Sequence, residues 1–406
     1  MIEDKTAAPV ERTLRARLPI IVLVRTMINV PFRIVYPFLP SIARGLGISL
    51  TAASGLITLR LIGQMASPLL GPLADRYGRR RVMEVALLSF VLASLLLAGV
   101  GTFAAAAIAF ALYGVAKALY DPAMYAYLGD VVPYRERGRA VGIVELSWSA
   151  AWLLGVPASG LLIDRLGWRA PWAVLTVLGV LGVGLVRVGL PSTLHQPARR
   201  SGEPFVASVI VTWRSLLRRR PVLVLLLTSA LLTAAIEIPF IVYGAWLEGA
   251  FGLRFTALGI ASAVVGLAEA AAEYGTTVIT DRLGKQRSVL AGLLGLAISL
   301  ITLPWLSRLG LAPALAGVAL MMLTFEFGIV SLMPLVTELA PDARATLLSL
   351  NSMVFGLSRI LAALVGGWLW RWQSADLQNP ITLHAGVGAV CAIAAALLLA
   401  WGMRDG

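Results

Sequence analysis

The 406-residue chain is 59% hydrophobic and 14% charged, against about 25% charged in an ordinary soluble domain. Too little polar material remains to clothe a soluble globule of this size, and the hydrophobicity excludes a disordered chain. One cysteine, Cys391, and two distant histidines, His195 and His384, exclude intrachain disulfides and thiolate clusters and disfavour a histidine-based metal or catalytic centre.

A membrane helix takes about 20 apolar residues. Apolar runs between charge and Pro/Gly punctuation predict twelve spans, near 18–42, 51–74, 82–101, 103–131, 140–163, 170–190, 221–247, 255–280, 288–307, 312–339, 345–370 and 381–403. The basic tail Met1–Arg17 leads into a first span read as retained, not as a cleaved signal peptide. The longest polar interruption separates an N-terminal six-helix bundle (1–190) from a C-terminal one (221–406). In this linker, 191–220, Phe205, Val209, Trp213, Leu216 and Leu217 fall near helical spacing before Arg218–Arg220. It is either an interfacial helix on the inner leaflet or a plain connector.

The net charge of +13 has a topological explanation. Most of the basic residues, among them Arg76, Arg79, Arg80, Arg81, Arg135, Arg137 and Arg218–Arg220, fall on one set of alternate loops. By the positive-inside rule both termini and the linker are cytoplasmic, and no nucleic-acid surface needs to be invoked.

Gly71-Pro-Leu-Ala-Asp75-Arg76-Tyr-Gly78-Arg79-Arg80-Arg81 joins spans two and three. Asp281-Arg282-Leu-Gly284-Lys285-Gln-Arg287 joins spans eight and nine. Both read Asp-Arg-x-Gly-x-x-Arg, about half a chain apart, in equivalent loops, as parallel six-helix repeats require. The segment from Gly71 resembles the cytoplasmic loop signature of the major facilitator superfamily almost residue for residue; the second copy lacks the Gly-x-Leu-Ala lead-in. The resemblance implies an all-α membrane protein of twelve helices in two pseudo-symmetric bundles. It also implies that Asp75 and Arg76 lock the outward-open state, with Asp130 and Arg139 as partners. In span five, Gly155-Val-Pro157-Ala-Ser-Gly160 is similar to the antiporter motif of the family's exporters, with a valine inserted between Gly155 and Pro157.

Ionisable residues deep in a membrane are costly and mark pathways. Arg25, Arg33, Arg60, Lys117, Asp121, Glu145, Glu237, Glu269, Glu273, Glu326 and Arg359 all fall inside spans. At about 1.5 Å per residue, Arg33 and Glu326 lie roughly 21–22 Å into spans one and ten, near the midplane. Lys117 and Asp121 are four apart and can pair on one helix face. Glu269 and Glu273 are also four apart, and two carboxylates sharing a low-dielectric face do not both stay ionised. They are the foremost proton-coupling candidates, beside Asp121, Glu237 and Glu326. Cavity candidates are Arg33, Tyr36, Lys117, Tyr113, Tyr120, Trp148, Trp152, Tyr243, Phe325 and Arg359. Prolines at 31, 37 and 239 beside buried charge suit broken helices along a substrate path.

There is no Walker loop, Gly-x-Ser-x-Gly or His-Glu-x-x-His motif, so ATP-driven pumping and common hydrolytic chemistry are not expected. The expected protein is a monomeric secondary transporter of the plasma (inner) membrane, driven by a proton gradient without cofactor or metal, that exports small amphipathic compounds. The alternatives are a lipid or glycolipid flippase, a sugar exporter and, less favoured, a polytopic membrane enzyme. Expected partners are a small-molecule or lipid substrate and the bilayer.

Overall fold

The structure, a computed structural model, describes residues 7–70, 72–133, 137–191, 213–340, 344–373 and 381–402. The described residues are helices joined by short turns, with no strand among them. Span one is Ala7–Leu46, span three Arg79–Gly99, span four Phe103–Val131 and span six Ala170–Gly189. Span seven is Arg220–Phe240, continued by Tyr243–Phe251. Spans eight to twelve are Phe255–Leu283, Lys285–Arg308, Leu311–Leu339, Arg344–Gln373 and Thr382–Gly402.

Eleven helices among the described residues are long and apolar enough to cross a membrane. The twelfth predicted span, 51–74, is helical over Leu50–Met65 and Ser67–Leu70 with a turn at Ala66, and again over Pro72–Tyr77, Gly71 lying outside the described residues. The turn falls where Pro68, which has no amide hydrogen, interrupts the helical ladder. Large apolar side chains such as Leu23, Leu154, Val188 and Val390 are left exposed along the helices, as a lipid-facing surface requires. The linker residues 192–212 lie outside the described residues; 213–217 are helical, with Leu216 buried.

Two compact units emerge. One comprises Met1–Val35 and Leu59–Arg199; the other comprises Tyr36–Thr58 and Arg200–Gly406. Their border at Arg199 falls inside the expected linker, while residues 36–58 cluster with the C-terminal helices.

In the first unit, spans three, four and six meet in an aromatic core. Tyr113 lies 5.4 Å from Phe90 and 6.0 Å from Trp172 between ring centroids, and its hydroxyl shares a 2.8 Å hydrogen bond with Ser94. Tyr113, expected in a cavity, is therefore a packing residue: its ring is enclosed and its hydroxyl satisfied. Gly63 and Gly114 bring spans two and four into backbone contact; a Cβ on Gly114 would stand 2.0 Å from the Arg60 carbonyl oxygen.

In the second unit the ends of spans one and two are tied to spans seven and eleven. A Cβ on Gly244 would stand 2.0 Å from the carbonyl oxygen of Pro37, so only glycine permits this approach. Arg44 pairs with Glu248 at 2.8 Å, and Thr51 donates to the Gly367 carbonyl at 3.0 Å. His384 is fully buried, with Nε2 2.9 Å from the Gly366 carbonyl, a structural position. These bonds are why residues 36–58 group with the second unit.

Candidate functional site

The basic loops turn at glycine. Gly78 and Gly284 have φ of 95° and 83°, a region that L side chains disfavour, and each starts the next span. Arg79 follows Gly78 and lies 3.4 Å from Asp130. Lys285 follows Gly284 and pairs with Glu338. Arg80 donates at 3.2 Å to the Leu190 carbonyl just past span six, where a cation suits the negative helix end. Arg76 and Arg282 are exposed; Arg76 lies over the Tyr77 ring at 5.4 Å. Gly71 and the side chains of Asp75, Arg139 and Asp281 lie outside the described residues. The described partner of Asp130 is thus Arg79.

Within the first unit, spans one, four and five surround a buried ionic network. Arg25 is 2% exposed; it reaches Glu145 at 3.1 Å and Asp121 at 3.6 Å. It also donates to the Val144 carbonyl at 3.0 Å and to the Tyr125 hydroxyl at 2.8 Å, and Tyr125 in turn donates to Glu145. Lys117, 1% exposed, reaches Asp121 at 2.9 Å and donates to Asn29 Oδ1 at 2.7 Å; Asn29 Nδ2 donates to Ser147 at 3.1 Å. Asp121 is held between two cations. Trp148 carries Lys117 at 4.2 Å and Arg33 at 4.4 Å from its ring centre, and Trp152 carries Arg33 at 5.3 Å. Tyr120 is fully buried one residue before Asp121.

Span five is shaped around the antiporter-like element. Its helix runs Arg137–Ala150, widens to a π turn at Ala151–Gly155 and resumes at Val156–Leu166. Pro157 has no amide to continue an α ladder, and the Val156 amide bonds instead to the Ala151 carbonyl. Ser159 donates to the Gly155 carbonyl at 2.7 Å. A Cβ on Gly155 would meet Val30 Cγ2 at 2.5 Å. Gly160 is buried. Gly155 thereby seats span five against span one.

Inside the spans of the second unit, Glu237, Glu269, Glu273 and Glu326 stand with the cation Arg359. Glu237, 4% exposed, accepts a 2.7 Å hydrogen bond from the Tyr36 hydroxyl and lies 3.8 Å from Arg359 Nε. Arg359 is also within electrostatic reach of Glu269 and Glu326. Glu237 of span seven thus meets the arginine of span eleven, with Glu269 of span eight and Glu326 of span ten in its electrostatic surroundings. Glu269 is 3% exposed and Glu273, one turn on, is half-buried. Tyr36 packs on Phe240 at 4.9 Å, and Phe240 stacks on Tyr243 at 5.2 Å. Tyr243 accepts a 3.3 Å hydrogen bond from Ser262, and Phe325 is buried.

The candidates thus separate into a cation-rich set in one unit (Arg33, Lys117, Trp148, Trp152 with Arg25 and Arg60) and a carboxylate-rich set in the other (Glu237, Glu269, Glu326, Arg359, Tyr36). Sequence reasoning passed over Glu338, Asn29 and Tyr125. Glu338 was findable, since it ends span ten as Asp130 ends span four. Asn29 and Tyr125 become visible only when spans one, four and five are brought together.

Lipid-facing apolar helices with ion pairs buried along them define a multi-pass membrane protein. The family model described as Major Facilitator Superfamily matches residues 21–363 and, again, 229–405. The chain belongs to the major facilitator superfamily, a family of membrane transporters. It is 24% identical to the uncharacterized MFS-type transporter YbcL of Bacillus subtilis, over 94% of this chain and 95% of that one. It is 28% identical to the lysophospholipid transporter LplT of Klebsiella pneumoniae, over 83% of each chain. A 34% identical stretch with the puromycin resistance protein pur8 of Streptomyces alboniger covers 43% of this chain and 36% of that one. Among solved structures, a D-xylose-proton symporter superposes with a TM-score of 0.78 at 18% identity, over 95% of this chain and 97% of that one. The nucleoside transporter NupG gives 0.80 at 13%, over 96% and 100%. These two establish a shared fold.

Proposed function

We propose that the chain is a proton-coupled exporter of small amphipathic compounds, working by alternating access in the plasma (inner) membrane with both termini cytoplasmic. The observation that carries the coupling is the meeting of Glu237 with Arg359, with Glu269 and Glu326 in the electrostatic surroundings of that arginine. In this reading the cluster is where the coupled proton binds, since buried carboxylates in membrane spans commonly form proton relays. Glu237 is the pivotal member because it also holds Tyr36 of span one. Protonating it removes the charge that Arg359 and the Tyr36 hydroxyl both address. That loosens the hold of span seven on the segment from Tyr36, and a proton then biases which of two arrangements the segment adopts. Glu269 and Glu273 extend the same carboxylate path along span eight.

The repeated Gly-turn and ion-pair arrangement of the two basic loops supports a two-bundle transporter whose loops brace each half. The stretch shared with the puromycin resistance protein supports export. Lipid transport is the second reading, favoured by the lysophospholipid transporter relative.

The test is purified protein in proteoliposomes under an imposed pH gradient, offered a panel of anionic and cationic amphipathic dyes and lipids. Glu237→Gln should abolish gradient-driven accumulation while leaving downhill counterflow. Undiminished gradient-driven transport in both Glu237→Gln and the Glu269→Gln/Glu273→Gln double variant would remove the coupling assignment.

A further inference from the structure

The described end of the linker carries charge that the transport reading leaves unused. Residues 213–217 are helical, the chain turns at Arg218 and Arg219, and span seven begins at Arg220. Four arginines, Arg214, Arg218, Arg219 and Arg220, fall within seven residues, and the sequence has no Asp or Glu between Glu203 and Glu237. The short helix has two faces. Trp213 is half-buried and Leu216, three residues on, is 2% exposed, so this face packs on the protein. Arg214, Leu217 and Arg218 stand at i, i+3 and i+4, a spacing that puts them on one face, and all three are exposed. Beyond the turn, the exposed side of span seven opens with Leu223 and Leu227, four apart.

We propose that this patch binds the head group of an anionic phospholipid of the inner leaflet, with the lipid chains lying along Leu223 and Leu227. The placement rests on the topology given above, in which the linker is cytoplasmic, and on neither the coupling nor the cargo. A guanidinium pairs with a phosphate in two-point geometry, and its apolar stem lies along apolar surface while the charged end reaches the head groups. Leu217, 38% exposed between Arg214 and Arg218, enters the zone just below the phosphates, as the apolar side of an interfacial helix does. A free phosphate would use the arginines and leave Leu217 in water; a phospholipid satisfies both. The complementarity of charge is strong, since a basic residue beside an anionic leaflet is worth about fivefold in affinity.

The full-length protein, with Cys391→Ser and an environment-sensitive fluorophore on the thiol of Ser215→Cys, is held in micelles of neutral detergent. It is titrated with phosphatidylglycerol, with phosphatidylcholine of the same chains, with glycerol 3-phosphate and with a polyglutamate peptide. Phosphatidylglycerol should bind at least about tenfold more tightly than phosphatidylcholine, and the margin should shrink at high salt. Arg218→Gln/Arg219→Gln should cut the margin to under about threefold, and Arg218→Lys/Arg219→Lys should keep most of it. Arg81→Gln/Arg187→Gln removes as much charge from exposed positions elsewhere on the same side and should leave the margin intact. Equal binding of the two lipids would overturn the assignment, as would an undiminished margin in Arg218→Gln/Arg219→Gln. So would an equal loss in Arg81→Gln/Arg187→Gln, because net charge alone would then attract the lipid. A response to glycerol 3-phosphate or to polyglutamate as strong as that to phosphatidylglycerol would make the occupant a soluble anion or an acidic protein, and would overturn it too. With neither gradient nor cargo present, failure here leaves the transport reading standing.

Discussion

Arg79, the first residue after the glycine turn at Gly78, meets the carboxylate of Asp130, the penultimate residue of span four, at 3.4 Å. The second unit repeats the arrangement: Lys285 follows the turn at Gly284 and pairs with Glu338, penultimate in span ten. Each basic loop is therefore pinned to the end of the next helix but one. Both pairs are partly exposed, so each contributes at most about 1 kcal/mol to stability. Arg79→Gln and Lys285→Gln should shift thermal midpoints by only a few degrees while lowering transport in proteoliposomes. Exchanging the charges in Arg79→Asp/Asp130→Arg should restore part of the rate. Full transport in both single variants would leave the pairs as loop anchors alone.

Arg25 should be the costliest ion-pair residue of the first unit. Its removal leaves Asp121 with Lys117 alone and Glu145 with hydrogen bonds alone. Breaking a buried pair by deleting one partner costs about 3–5 kcal/mol. The Arg44–Glu248 pair has side chains 55% and 34% exposed and should lose under about 1 kcal/mol. Thermal unfolding of Arg25→Met beside Arg44→Met measures the contrast.

Arg359→Leu should destabilise the second unit, since Glu237 would remain buried without its cation. Adding Glu237→Gln should recover most of the thermal stability, because a neutral amide still meets the Tyr36 hydroxyl. It should not recover gradient-driven transport. Recovery of both would show that the pair serves only the fold.

Two glycines separate hard from soft close approaches. Gly244→Ala drives a methyl against the backbone of Pro37 and should cost about 1–3 kcal/mol. Gly155→Ala meets only the Val30 side chain, so Val30→Ala should rescue it. Melting curves of the three proteins decide this.

Most of the fold is legible in the sequence because hydropathy and charge are local signals. Span four, expected at 103–131, is Phe103–Val131, and both glycine turns are visible from the loop repeat. Pro68 was equally visible, yet the apolar run around it outweighed the turn at Ala66 in span two. The Lys117–Asp121 pair follows from i,i+4 spacing. The contacts of Arg25 with Asp121 and Glu145, and of Tyr36 with Glu237, join residues about 100 to 200 positions apart. No periodicity reports such pairs, and only the packing of spans one, four, five and seven creates them.

The wide turn at Ala151–Gly155 stores one residue of slack in the helix that bears Trp148 and Trp152. Were that residue drawn into ordinary α geometry, Val156–Leu166 would swivel by about 100° against the preceding segment, since each residue of an α-helix turns through that angle. The proline that forbids a uniform ladder thus leaves this helix a ready click-stop, able to re-aim one end against the other.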